Sequence, residues 1–158
     1  MEKLSLILWR ERELMESLLF KLEMEQLVLG SGRTRWLARS AREVEQVLEV
    51  LRETEMLRAV AADEAAASIG LAGNPSLLAL AEAVEDPWRT ILFDHRSAFV
   101  NLTQELSATS ESNRELLTAG LRSSREALLS IEAESYGYSP SGDAVVSKTG
   151  QHLVDRSF

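Results

Sequence analysis

The chain has no cysteine among its 158 residues, which excludes disulfide bonds, thiol nucleophiles and cysteine-ligated metals. Only two histidines occur, His95 and His152, and neither belongs to the Glu-x-x-His pair that supplies ligands to a di-iron bundle. The "GSGR" of residues 30–33 has neither the spacing nor the lysine of a phosphate-binding loop. We therefore expect no catalytic residues, no metal and no cofactor, and an enzyme is not predicted.

Glycine, proline and aromatic residues are also few, at 8 Gly, 3 Pro and 6% aromatic. Leucine, by contrast, occurs 26 times, and Leu, Ala, Glu and Arg dominate the composition. Because these residues favour helices, the composition predicts an all-α fold.

Long hydrophobic runs are missing too. No apolar run approaches the roughly 20 residues that span a bilayer. The apolar N-terminus is interrupted by charges from Arg10 to Glu13, so we interpret it as a helix start and not as a signal peptide.

The formal net charge of -8 predicts repulsion from nucleic acid and anionic lipid. We expect a cytoplasmic protein that neither binds nucleic acid nor inserts into a membrane.

Two long helices are predicted in the first half of the chain, over residues 3–29 and 33–69. Along one side of the first helix, the residues of the packing seam follow one another in alternating steps of four and three, as in helices that pack side by side. Its members are Leu4, Leu8, Glu11, Met15, Leu18, Leu22, Glu25 and Leu29. The stripe of the second comprises Leu37, Ala41, Val44, Leu48 and Leu51. Because so short a break separates the helices, we expect an antiparallel hairpin.

Several side chains of this hairpin leave alternatives open. Glu11 and Glu25 interrupt the first seam. They could be paired buried carboxylates, although carboxylates that face an arginine or solvent are favoured. Four arginines cluster at the start of the second helix and could contact an acidic partner, although a solvated face is favoured. These are Arg33, Arg35, Arg39 and Arg42. The tryptophans, Trp36 among them, are interpreted as packing anchors where stripes meet.

The middle of the chain is an acidic connector that carries two of the three prolines. Asn74-Pro75 and Asp86-Pro87 each resemble a helix cap followed by proline at the first helical position. We predict a short helix over residues 75–85 and a long helix over 87–134. Residues 135–158 lack sustained periodicity, which predicts a flexible tail. The expected organisation is one helical domain, 1–134, followed by that tail.

The apolar stripe of the long helix changes near Leu106. Up to that point it keeps a strict seam of Trp88, Leu92, His95, Phe99, Leu102 and Leu106. We interpret His95 as a satisfied seam histidine. Further on, the seam positions are mostly polar or small, and the large apolar residues resume on a shifted line, which comprises Leu117, Leu121, Leu128 and Ile131.

The predicted helix lengths indicate that the first helix does not extend far enough to cover the shifted line. The first helix, at ~40 Å, is too short to cover a long helix of ~70 Å from end to end. The shifted face would then be covered by the connector helix or a second protomer, or it would dock a helix of another protein. Self-association as a coiled-coil adaptor, with a possible homodimer, is thus the alternative to a partner-binding function.

Three stretches resemble the FlgN-type flagellar export chaperones, which are small acidic helical proteins. They are the leucine-rich first helix, "VLEVLRETEMLRA" at the end of the hairpin, and "SESNRELLTAGLRSSREALLSI" from Ser110 to Ile131. In the last of these, Asn113, Leu116 and Leu117 match an N-x-x-L-L pattern. The resemblance covers about residues 3–131. It implies an antiparallel hairpin plus a long C-terminal helix in an elongated coiled-coil-like bundle.

The resemblance also implies a function. Such chaperones hold the hook–filament junction proteins FlgK and FlgL by their coiled-coil-forming terminal segments, and the client site lies toward the C-terminal helix. The candidate client-binding residues are Leu106, Asn113, Leu116, Leu117, Leu121, Leu128 and Ile131. Family members also dock on the export gate protein FlhA with help from a tyrosine near the C-terminus, which makes Tyr136 and Tyr138 the candidates here.

Overall fold

The fold was obtained as a computed structural model that describes the backbone of residues 1–135 and the side chains of residues 1–132. Four α-helices follow one another along the chain: α1 (Glu2–Gly30), α2 (Leu37–Ser68), α3 (Leu77–Ala83) and α4 (Trp88–Ser135). A 3-10 helix, Thr34–Trp36, precedes α2. No strand occurs within residues 1–135, and the predicted all-α fold is confirmed.

The chain divides into two compact units, Met1–Leu116 and Leu117–Phe158. The first contains α1, α2, α3 and the first part of α4. Of the second, the structure describes residues 117–135, which all belong to α4. The tail predicted over residues 135–158 therefore lies, except for Ser135, outside the described residues.

Helices α1 and α2 form the predicted antiparallel hairpin. Gly32, with a φ of 64°, adopts the left-handed backbone conformation that glycine tolerates best, and it reverses the chain between the helices. Two ion pairs between the helices show that α2 runs antiparallel to α1. The Nζ atom of Lys3 lies 2.7 Å from a carboxylate oxygen of Glu64, and that of Lys21 lies 2.6 Å from Glu43. Because these pairs are exposed or half-buried, they contribute little to stability, and the buried seams hold the hairpin together.

The hydrophobic core lies at the open end of the hairpin, where α3 and α4 join α1 and α2. Leucines come from α1, α3 and α4, whereas α2 contributes only alanines, whose small side chains let the other helices approach its backbone. The buried members are Leu4, Leu8, Ala61, Ala62, Ala65, Ala66, Leu80, Ala81 and Leu92. Each buried leucine contributes about 1.5–3 kcal/mol. This core fixes where α4 begins.

Polar side chains begin the two later helices. The Oγ atom of Ser76 accepts a hydrogen bond of 3.1 Å from the backbone N–H of Ala79, so Ser76 caps α3. The expectation that Asn74 caps this helix is wrong, because its φ of 54° places it in a turn where its N–H donates to Asp63. Asp86 accepts hydrogen bonds from the N–H and the hydroxyl of Thr90 in the first turn of α4, which begins at Trp88, one residue after the expected Pro87.

Glu11 lies buried where the seams of α1 and α2 meet, and its Oε2 atom is 2.8 Å from Nε of Arg58. This ion pair agrees with the favoured expectation of a carboxylate that faces an arginine. Burial raises the pKa of the Glu11 carboxyl above its ordinary value, Arg58 offsets this only in part, and Glu55 adds to the rise. The ionised carboxylate is therefore less stable in the folded chain than in water.

Replacing Glu11 with Gln is expected to raise the free energy of unfolding at neutral pH by about 1 kcal/mol. Because its folded pKa is raised, Glu11 stabilises the fold fully below the unfolded pKa, and this contribution is lost as the pH rises through the folded pKa. Wild-type stability should therefore fall relative to Glu11→Gln as the pH rises above 4.5, the ordinary pKa of the carboxyl, as measured by thermal unfolding. The Arg58 side chain is partly exposed although its Nε atom is buried, so it loses less on removal of the Glu11 charge than a fully buried guanidinium would.

The matched control is Glu64→Gln, which removes the exposed partner of Lys3 and should change stability by less than about 0.5 kcal/mol. A Glu11→Gln variant that is less stable than the wild type at every pH would show that the attraction of Arg58 outweighs the cost of burial.

Candidate functional site

The first part of α4 lies beside α1 and runs parallel to it. Near the start of both helices, the rings of Trp9 and His95 meet edge to face with centroids 4.7 Å apart. Further along both, Nε2 of Gln26 donates a hydrogen bond of 2.7 Å to Oγ of Ser112. The predicted seam of α4 therefore faces α1, which decides which side of α4 remains open.

His95 is fully buried on this seam, between Trp9 and Phe99. Within the described residues neither ring nitrogen has a hydrogen-bond partner, so the expectation of a satisfied histidine is wrong. Burial, with a further contribution from the Arg12 guanidinium, holds the pKa of His95 below its ordinary value, and Asp94 opposes this to a smaller extent. His95 is thus a neutral packing residue at neutral pH.

The seam of α4 does not end at Leu106. It continues through Thr109, Asn113 and Leu116 in steps of three and four, and these residues are half-buried or buried. Asn113 is only 3% exposed, and its Nδ2 atom donates to the carbonyl oxygen of Leu22 at 2.9 Å and to Oε2 of Glu25 at 3.1 Å. Asn113 is therefore held against α1 through its side-chain amide nitrogen.

From Leu117 to Glu132 every side chain of α4 is exposed. Among them, the apolar residues of the shifted line have exposed fractions far above those of core residues: Leu117 37%, Leu121 73%, Leu128 64% and Ile131 62%. At about 100° of rotation per residue, these four side chains fall within about 80° of one another around the helix. We call this set, Leu117, Leu121, Leu128 and Ile131, the leucine line.

Ser124, which lies on the same side of α4 as the leucine line, is less disruptive than it looks in the sequence. Its hydroxyl donates a hydrogen bond of 2.9 Å to the carbonyl oxygen of Gly120, one turn earlier in α4. Because the helix itself satisfies this hydroxyl, a partner can cover the face without leaving its donor unpaired.

The candidate client-binding residues thus fall into two groups. Leu106, Asn113 and Leu116 lie on the seam that faces α1, whereas the leucine line is exposed. Leu129, at 57% exposed, flanks the line and was missed because a heptad pattern follows one line of side chains and ignores the neighbouring residue.

Comparison with protein-family models identifies the family of the chain. The family model described as FlgN protein matches residues 1–145 of the 158. The chain belongs to the FlgN family. It is therefore a flagellar export chaperone, and the clients of this family are flagellar hook-associated proteins. Neither the search of curated proteins nor that of solved structures gave a match.

The FlgN match includes every residue that the structure describes, the leucine line among them. The other predicted site, the tyrosines Tyr136 and Tyr138, lies outside the described residues, so its role stays a prediction. No helix in the described part of the chain is long and apolar enough to cross a membrane.

Proposed function

We propose that this FlgN-family chaperone works in the cytoplasm, where it binds the terminal helical segments of FlgK- and FlgL-like junction proteins and delivers them to the export gate. The observation that supports the client site is the exposure of all four members of the leucine line on one side of α4. Exposed apolar surfaces of this kind usually mark interaction sites.

A helical client segment fits this surface physically. Apolar anchors spaced four, seven and three residues apart lie on one side of a helix and match the apolar stripe of a second helix. Each leucine that becomes fully buried contributes about 1.5–3 kcal/mol, and four such anchors can exceed the cost of association. The client gains in turn, because its aggregation-prone stripe is covered before export.

The seam residues enter this proposal differently. Leu106 and Leu116 are half-buried at the edge of the α1 contact, and Asn113 is buried there. We keep them as client-binding candidates only at the margin of the surface, since a client that reached Asn113 would have to displace α1.

The test is co-expression of the chain with the terminal segments of a FlgK-like and a FlgL-like protein, followed by size-exclusion chromatography. We expect a stable complex with at least one of them. Purification of the two components at separate elution volumes in both cases would reject the client assignment.

Delivery to the gate is tested on the same complex. The soluble domain of an FlhA-like gate protein should bind the wild-type complex and should fail to bind one in which Tyr136 and Tyr138 are both alanine. Equal binding to the two complexes would remove these tyrosines from the proposal.

The second candidate function is self-association, which the exposed leucine line also supports because a second copy presents the same stripe. Sedimentation equilibrium of the purified chain distinguishes self-association from client binding. A mass that rises with concentration and falls to that of the monomer in Leu117→Asp/Leu121→Asp would favour a homodimer, whereas a monomer at all concentrations favours a client.

A further inference from the structure

We propose that the tip of the α1–α2 hairpin is a second docking surface, which binds an acidic segment of a protein partner. We call it the arginine tip and define it by five exposed residues: Arg33, Arg35, Trp36, Arg39 and Arg42. It belongs to the Met1–Leu116 unit and shares no residue with the leucine line. The proposal therefore does not depend on how clients bind.

The charge of this tip is opposite to that of the chain. The whole chain carries a formal charge of -8, yet residues 26–42 contain four arginines and no acidic residue, which gives +4. The flanking carboxylates are engaged elsewhere or shared: Glu25 accepts from Asn113, and Glu43 pairs with both Lys21 and Arg39. The positive charge of the tip is thus only partly neutralised by its own surroundings.

Most of these arginines keep their guanidinium groups available. Arg33 and Arg35 form no ion pair with any described residue. The Nε atom of Arg42 donates to the carbonyl oxygen of Ala38, which leaves its two terminal nitrogens. A guanidinium presents parallel N–H groups that match a carboxylate, and such charge-assisted pairs are the stronger hydrogen bonds.

An apolar component accompanies the charge. Trp36, which we had expected to be a packing anchor, is 42% exposed, and the Arg35 guanidinium carbon lies 5.0 Å from its ring centroid. In the last turns of α1, Met24 and Leu27 are also exposed. Arginine and tryptophan are enriched at the centres of protein interfaces. The combination suits a segment whose glutamates and leucines lie side by side.

The tip fits a protein segment better than a membrane. An anionic bilayer is an extended surface that would repel the rest of this acidic chain, and that repulsion opposes attraction by four arginines. A protein segment presents its carboxylates over a small area, within reach of the tip alone. We therefore assign the partner as an acidic, amphipathic protein segment.

The experiment measures binding of a short fluorescein-labelled helical peptide of glutamate and leucine by fluorescence anisotropy, with the full chain in titration. Binding should weaken as salt rises. Arg33→Gln/Arg35→Gln should weaken it by about tenfold or more, and Trp36→Ala by a similar factor. The matched control, Arg52→Gln/Arg89→Gln, removes the same charge from exposed positions outside the tip and should leave affinity within about twofold.

Three results would overturn the proposal. The first is that the peptide does not bind, and the second is that a peptide with Gln in place of Glu binds equally well. The third is that the control variant loses as much affinity as the tip variants. Binding to vesicles of phosphatidylcholine and phosphatidylserine without binding to the peptide would assign the tip to membranes instead. Circular dichroism confirms that each variant is folded, and an unchanged affinity for a client segment shows that the leucine line is unaffected.

Discussion

Changing Leu117 and Leu121 together to aspartate is expected to lower client affinity by about a hundredfold or more while leaving the chaperone as stable as the wild type. Both side chains are exposed in the free chain, so each aspartate stays solvated there and costs little. In the complex the same carboxylates would be buried against the apolar stripe of the client. Removing a charge from water without a partner costs several kcal/mol, and each 1.4 kcal/mol is tenfold in affinity.

The matched control is Ala119→Asp/Ser123→Asp. Each of these positions lies two residues, or about 200°, from a mutated leucine, so the control adds the same charge to the other side of the same turns. Calorimetric titration with a client segment should show near wild-type affinity for the control, and thermal unfolding should be similar for all three proteins. Equal loss in both variants would mean that charge repulsion is the cause and that the leucine line is not the contact.

The sequence is sufficient to predict the seam of α1. Leu4, Leu8, Leu18 and Leu22 are all buried at the positions where the heptad spacing places them. Local periodicity decides this, because leucines on one side of a long helix can be covered only by a neighbour on that side. The same reasoning predicts the hairpin, since a short turn between two such helices brings their stripes together.

The alanine-rich end of α2 could not be predicted in the same way. Ala61, Ala62, Ala65 and Ala66 are buried, yet Ala67 beside them is exposed. Alanine is a strong helix former with little side chain to bury, so its presence in a helix does not indicate which side faces the core. That side is set by where α3 and α4 pack, which is a property of the whole fold.

The polar residues of the seams show the same limit. Glu11 was expected to face an arginine or solvent, but the sequence did not identify Arg58 among the many arginines of the chain. For Asn113 the two acceptors are 91 and 88 residues away along the chain, on α1. A buried asparagine and one that interrupts an exposed stripe look alike until the register of α4 against α1 is known.

Replacing Asn113 with aspartate is therefore expected to destabilise the fold by about 3 kcal/mol, and replacing it with alanine by about 1–2 kcal/mol. Aspartate loses both donated hydrogen bonds and places a second carboxylate beside Glu25 and the Leu22 carbonyl oxygen, in a site that is 3% exposed. Alanine removes the donor but adds no charge. Urea unfolding monitored by circular dichroism measures both changes.

Asn101→Asp is the matched control, because it makes the same substitution at an exposed position of the same helix and should change stability by less than about 0.5 kcal/mol. The pair also decides the role of Asn113 in client binding. If Asn113 holds α4 against α1, Asn113→Asp lowers stability, and the folded fraction keeps its affinity for the client. If instead the client displaces α1 and takes up the Asn113 amide, affinity falls by more than the loss of folded protein accounts for, and this would extend the client site beyond the leucine line.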